Sequence, residues 1–210
     1  MAYTTIPKST NYFNTKLYTG NFSTNAITGV GFQPDFTWIK SRDTAGENHY
    51  LFDAIRGVTN YIHSDTTAGQ GTNAATLTTF GSDGFTVGAN NSVNKSSDPL
   101  VSWNWLANGA GSSNTDGSIT STVSASTTSG FSIVSYTGNG TSGATVGHGL
   151  GVVPQVIIVK RLPSTDQMIM YHHKLNATPQ DYYIRLSDTG TAADFAGMWN
   201  DTAPTSSLFS

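Results

Sequence analysis

The chain has 210 residues, of which only 11% are charged, with a net charge of -3 and no cysteine. Its Lys and Arg residues are scattered singly, Lys160-Arg161 being the one adjacent pair, which excludes a basic nucleic-acid stripe; the lack of cysteine excludes a disulfide framework. Ten Phe, nine Tyr and four Trp at so low a net charge also exclude a disordered chain.

The missing charge is replaced by Thr, Ser, Asn and Gly, so the expected surface is hydrogen-bonding and not ionic. No apolar run approaches the ~20 residues of a membrane helix, and residues 1–20 lack a basic and then apolar leader. The expectation is a soluble protein with neither membrane nor nucleic acid among its partners.

In chain order, Tyr3-Thr4-Thr5-Ile6-Pro7 reads as an edge strand or arm, a place that tolerates proline's missing N–H. Residues 16–20 and 32–42 read as strands around the polar turn 21–25. Phe36 and Trp38 share a face of the second strand by the period of two and are expected to fill the core. Residues 48–57 place Leu51, Ala54 and Ile55 at helical spacing before a glycine; a short helix is expected, and a strand fits as well. Residues 61–64 read as a strand and 66–73 as a Gly-rich loop. Residues 77–80 and 85–88 flank Gly81-Ser82-Asp83-Gly84 as a hairpin.

Asn90, Asn91, Asn94 and Asp98 share one polar loop; oxygen ligation of a hard cation is outweighed there by Asn side chains bonding their own backbone. Residues 100–106 (LVSWNWL) form a strand with Trp103 and Trp105 on one face beside Val101, and Ser102 and Asn104 on the other. Core or a sheet interface is the first reading of that tryptophan pair. A ligand platform is the second, so Trp103 and Trp105 are the ligand-contact candidates. Residues 108–118 are Gly/Ser/Asn-rich and read as a flexible linker.

Beyond the linker the pattern returns. Gly149-Leu150-Gly151, Pro154 and the run 156–160 repeat Gly29-Val30-Gly31, Pro34 and 36–40; FSIVSYTGN (131–139) repeats FNTKLYTGN (13–21); and Tyr183-Ile184 repeats Tyr61-Ile62. The offsets are 118 to 123 residues, a domain-sized period, against the roughly 20–50 residues of solenoid units. The fold class expected is all-β: two tandem antiparallel β-sandwich, jelly-roll-like domains at 1–107 and 119–210. Because Leu208-Phe209-Ser210 aligns with Gly84-Phe85-Thr86, the second domain is expected to be incomplete at its C-terminus, with the partner of the 100–106 strand absent.

Catalytic chemistry finds little to stand on. Glu47 is the single glutamate among thirteen acids, and no two Asp lie within four positions, so no glycosidase-type carboxylate pair is written in the sequence. His49, His63, His148, His172 and His173 have no zinc spacing, and no Gly-x-Ser-x-Gly elbow occurs. The expectation is a protein that is not an enzyme and needs no cofactor or metal.

The runs FQPDFTWIKSRD (32–43), LFDAIRG (51–57), FGSDGFTVG (80–88), WNWLANG (103–109), DGSITSTVSA (116–125) and GFSIVSYTGNG (130–140), followed by VGHGLG, VIIVK and YHH, are specific as a set. Together they resemble repeat-containing virion proteins of marine tailed bacteriophages, with concanavalin-A-like lectin or glucanase-type domains. The resemblance implies a structural protein of the virion, assembled in the bacterial cytoplasm: a tail fibre or tail-attached adhesin that joins the particle and contacts the host surface. Its implied partners are other virion proteins of tail or capsid, further copies of itself, as in a trimeric fibre, and a host surface glycan. A lectin-like carbohydrate-binding module and a capsid decoration protein are the alternatives. Glucanase activity is not carried over, since the glutamate pair is missing.

Overall fold

The computed structural model describes residues 8–210, which form several antiparallel sheets with only short helical turns. The edge strand expected at residues 3–7, with Pro7, lies outside the described residues.

The first half runs β1 (Phe13–Thr19), β2 (Asn25–Ile27), β3 (Phe36–Ser41), β4 (Tyr50–Asp53), β5 (Asn60–Tyr61), β6 (Gly71–Thr72), β7 (Leu77–Gly81), β8 (Gly84–Val87), helix α1 (Asn91–Asn94) and β9 (Pro99–Trp105). Two layers result, one in the order β1-β9-β3-β4 and one in the order β2-β8-β7. Ile27, Ile39, Phe52, Leu77, Phe85, Val87, Val93 and Leu100 close the core between them. Full burial of side chains this size contributes about 1.5–3 kcal/mol each.

The hairpin expected at Gly81–Gly84 is β7–β8. Its turn carboxylate, Asp83, accepts the Gly29 and Gly31 N–H groups at 2.9 and 2.7 Å, tying the loop before β3 to the opposite layer. Residues 48–57 contain β4 and a turn, and the expected helix is absent. Pairing with β3 points Phe52 into the core and Leu51 to the opposite face, whereas a helix would gather Leu51, Ala54 and Ile55 on one side. Asp53 then closes the turn, its Oδ1 accepting the Arg56 N–H at 2.8 Å.

The second half runs β10 (Ser112–Asn114), β11 (Ser121–Ser126), β12 (Phe131–Tyr136), β13 (Val146–Gly147), β14 (Val156–Lys160), β15 (Met168–His172), β16 (Tyr182–Arg185), β17 (Ala193–Asp194), helix α2 (Ala196–Trp199) and β18 (Leu208–Phe209). These make the sheets β10-β11-β12, β14-β15-β16-β17 and β13-β18, with Tyr171, Tyr183 and Trp199 as a buried aromatic core. The stretch 108–118 is not a free linker. Ser112–Asn114 pair with β11, and a Cβ on Gly111 or Gly117 would stand 2.8 Å from Val123 O or 2.4 Å from Thr145 O. Those glycines permit close packing, the opposite of the flexibility their composition suggests.

Pairings of the first half recur in the second, 119 to 124 residues on. Ile27 pairs with Phe85 and Val146 with Phe209; Thr37 with Phe52 and Ile157 with Tyr171; Leu51 with Ile62 and Met170 with Ile184; Tyr61 with Gly71 and Tyr183 with Ala193. Tyr18 meets Phe85 edge-on at 6.2 Å, and Tyr136 meets Phe209 edge-on at 6.1 Å. Two strands lack counterparts. The chain runs through α2 where the first half has β7, and among the described residues nothing pairs with both β12 and β14 as β9 pairs with both β1 and β3.

Candidate functional site

Strand alternation divides β9 between two environments. Ser102 and Asn104 face inward and are fully buried, where Asn104 accepts from Thr37 Oγ1 at 3.1 Å and donates to Asn14 O at 3.1 Å and Ser102 Oγ at 3.0 Å. Burial of these groups is tolerated because each is paired. Trp103 and Trp105 consequently point away from the sandwich core. Phe36 and Trp38 point the same way, so the core they were expected to fill is not that of the sandwich but a second cluster, with Leu51, Ile62 and Met168, against which they are partly buried. Their neighbours Thr37 and Ile39 hold the inner positions.

Cross-strand registry sets these side chains in rows on the outer face. One row is Phe13, Trp105, Phe36; the next is Thr15, Trp103, Trp38, Leu51. The second half covers part of this face. Phe131 stacks on Trp105 at 5.8 Å and meets Phe36 edge-on at 5.8 Å, while Phe13 closes on Trp105 from the other side at 4.8 Å. Met168, Leu162 and Leu186 join Leu51, Ile62, Phe36 and Trp38 in one apolar cluster. Backbone bonds stitch the rim: Gln70 N–H to Leu162 O at 2.8 Å and Asp166 N–H to Thr67 O at 2.8 Å. Lys160 Nζ donates to Thr67 O at 3.0 Å and Asp166 O at 2.6 Å; burial lowers its pKa, against the opposing pull of Asp166.

The two tryptophans proposed from sequence therefore part company. Trp105 is engaged in the seam. Trp103 stays half-buried between exposed Thr15 and Trp38, whose ring it meets edge-on at 6.2 Å, with Leu17 one row along and 62% exposed. Trp38 Nε1–H donates to His49 Nδ1 at 2.7 Å, so the His49 proton sits on Nε2. Burial lowers the pKa of His49, against the nearby Asp65 carboxylate. The open end of the face is thus aromatic, flanked by hydroxyl and imidazole donors. Such a shelf can hold the apolar face of a sugar ring by stacking while neighbouring groups bond its hydroxyls.

Two polar groupings eluded the sequence reading, and a third, the Asn-rich loop, bonds backbone as expected. Arg56 and Asp53 form a buried ion pair, with Arg56 also donating to Leu51 O at 3.0 Å; the i,i+3 spacing in LFDAIRG was its only written sign. Asp35 is buried and accepts the Ala107 N–H at 2.7 Å, fixing the end of β9. Asn94, of the loop weighed for a cation, is fully buried. It accepts from Asn21 N–H and Asn25 Nδ2 at 3.0 Å and donates to Ser23 O at 2.6 Å and Gly88 O at 2.8 Å. Asn90 caps α1 through the Ser92 N–H. That loop holds its own backbone. Among the histidines, His148 accepts the Leu150 N–H on Nδ1 and reaches Thr205 O from Nε2, and burial lowers its pKa.

Residues 8–210 match the model of a family described as a domain of unknown function, DUF7483. No curated protein and no solved structure matches the chain. Since that match takes in every described strand and both aromatic rows, the chain belongs to the DUF7483 family.

Proposed function

We propose that this protein is a structural and adhesive component of a tailed-bacteriophage particle, a tail fibre or tail-attached adhesin that joins other virion proteins and meets the host surface. The observation that carries this reading is the outer face of the β1-β9-β3-β4 sheet. Its buried end joins the two halves through Trp105, Phe36 and Phe131, and its open end leaves Trp103 and Leu17 free to touch a partner. A stiff pair of β units with a hydrogen-bonding, weakly charged surface suits a spacer that works by contact and not by turnover. The resemblance of the motif set to phage repeat proteins points to the same reading. Copies of the chain associate in this role, a trimer being the arrangement common among fibres.

The test is localisation and blocking. Antibody raised against residues 8–210 decorates tail tips of intact particles and slows their adsorption to host cells; decoration of the head shell alone would favour a capsid decoration protein. The lectin-like reading is favoured by one observation, the half-buried Trp103 beside the Trp38–His49 pair. On a glycan array it requires binding that Trp103→Ala abolishes and Trp103→Phe retains, with the urea unfolding midpoint of both variants close to that of the parent.

A further inference from the structure

Two histidines stand beside the aromatic shelf, and they respond to acid in opposite ways. His63 is buried against the rings of Tyr50 and Tyr61, at 4.5 and 5.2 Å, and its Nδ1–H donates to His49 O at 2.8 Å. That bond is the same in imidazole and imidazolium, because Nδ1 carries its proton in both. His49 is the reverse case. Its Nδ1 accepts the Trp38 Nε1–H at 2.7 Å, and a second ring proton can go only onto that nitrogen. The imidazolium then presents N–H to N–H, and the bond cannot persist.

The surroundings give the displaced ring somewhere to go. Burial disfavours the His49 cation and Asp65 favours it, while Lys40 on β3 and His63 oppose it. The Asp65 carboxylate already accepts the His49 backbone N–H at 3.1 Å, so it is the acceptor at hand for a charged imidazole. Glu47, on the same segment, acts on Tyr50. From the second half, apolar Leu162, Met168 and Leu186 share one cluster with Trp38; Lys160 is engaged with Thr67 O, and Arg161 faces Asp166 at 4.0 Å.

We propose that His49 is a proton-operated latch: protonation releases the Trp38 indole, loosens the Trp38 end of the seam between the two halves, and reshapes the shelf that Trp38 forms with Trp103. Trp38 can pass the change both ways because it touches both, the inter-half cluster through Leu51, Ile62 and Met168 and the Trp103 ring edge-on at 6.2 Å. The Trp105 end of the seam is ring against ring, with Phe131 stacked at 5.8 Å, and keeps its contacts. The latch does not depend on the role in a virion or on what the shelf meets.

The experiment follows the indole N–H, histidine Cε1–H and methionine methyl resonances of the isotopically labelled full chain from about pH 8 to about pH 5. The Trp38 Nε1–H resonance should move with the same midpoint as His49 Cε1–H, its exchange with water quickening about tenfold or more. The Met168 methyl should shift with it, and the Trp105 indole should not. Trp38→Phe removes the donor and should raise the His49 midpoint, since an accepted bond favours the neutral ring. His49→Asn, whose Oδ1 takes the place of Nδ1 and does not titrate, should leave Trp38 and Met168 flat across the range. A Trp38 resonance that stays fixed while His49 titrates overturns the proposal, as does a His49 midpoint that Trp38→Phe leaves unchanged. Loss of all dispersed resonances in one step overturns it as well, because the change would then be unfolding and not the release of one bond.

Discussion

Asp53 and Arg56 show how one close pair can decide a local fold. Both side chains are almost wholly removed from solvent, with Arg56 reaching Leu51 O as well. Removing the cation leaves a buried carboxylate without a partner, a change that costs about 3–5 kcal/mol. Arg56→Met should therefore lower stability by about 3 kcal/mol in urea titration, whereas exposed Arg161→Met should lie within about 0.5 kcal/mol of the parent. His49 and His148 give a pH signature. Burial lowers the pKa of each below its ordinary 6.5, so the unfolded chain binds protons that the folded one does not. Stability should hold above pH 6.5 and fall as pH drops below it toward the folded values. A double variant, His49→Gln with His148→Asn, should show a flatter stability curve across that window than the parent does.

At the scale of elements, the seam rests on Phe131. It is half-buried against Trp105 and Phe36, so Phe131→Ala should destabilise by about 2 kcal/mol, below the roughly 3–5 kcal/mol typical of a fully buried phenylalanine. The intrinsic fluorescence of the tryptophans should shift to the red at the same time, and an unchanged spectrum would remove Phe131 from the seam. The strands themselves were legible from period two and turn residues: β3, the β7–β8 hairpin and β9 all fall where alternation puts them. Which face of β3 and β9 looks inward was not legible. Both faces of this sheet carry apolar contacts, one covered by β2-β8-β7 and the other in part by the second half, so apolar content does not mark the core side. The polar network of Thr37, Ser102 and Asn104 occupies the inner side and sends the tryptophans out. Trp103 and Trp105 were readable as neighbours on one face. Their separate roles depend on Phe131, a residue distant in sequence.

Across the whole molecule, the pairings β2–β8, β3–β4, β4–Ile62 and β5–β6 of the first half recur in the second, with β7 and β9 having no counterpart among the described residues. The sequence pointed to the recurring pairings through Pro34 and Pro154, just before β3 and β14. Residues 108–118 were misread, since backbone contacts of Gly111 and Gly117 are invisible to composition. The proposed adhesive role draws on a contact surface on the first sheet, half used within the chain; in the second half one edge each of β12 and β14 has no strand partner among the described residues. The most direct measurement is native-state hydrogen exchange on the isolated chain, comparing β1 and β3 with β12 and β14 residue by residue. The account predicts slow exchange throughout β1 and β3 toward β9, and fast exchange at every second amide of β12 and β14, those on the edge without a strand partner among the described residues. Uniform protection of β12 and β14 equal to that of β1 and β3 would contradict it.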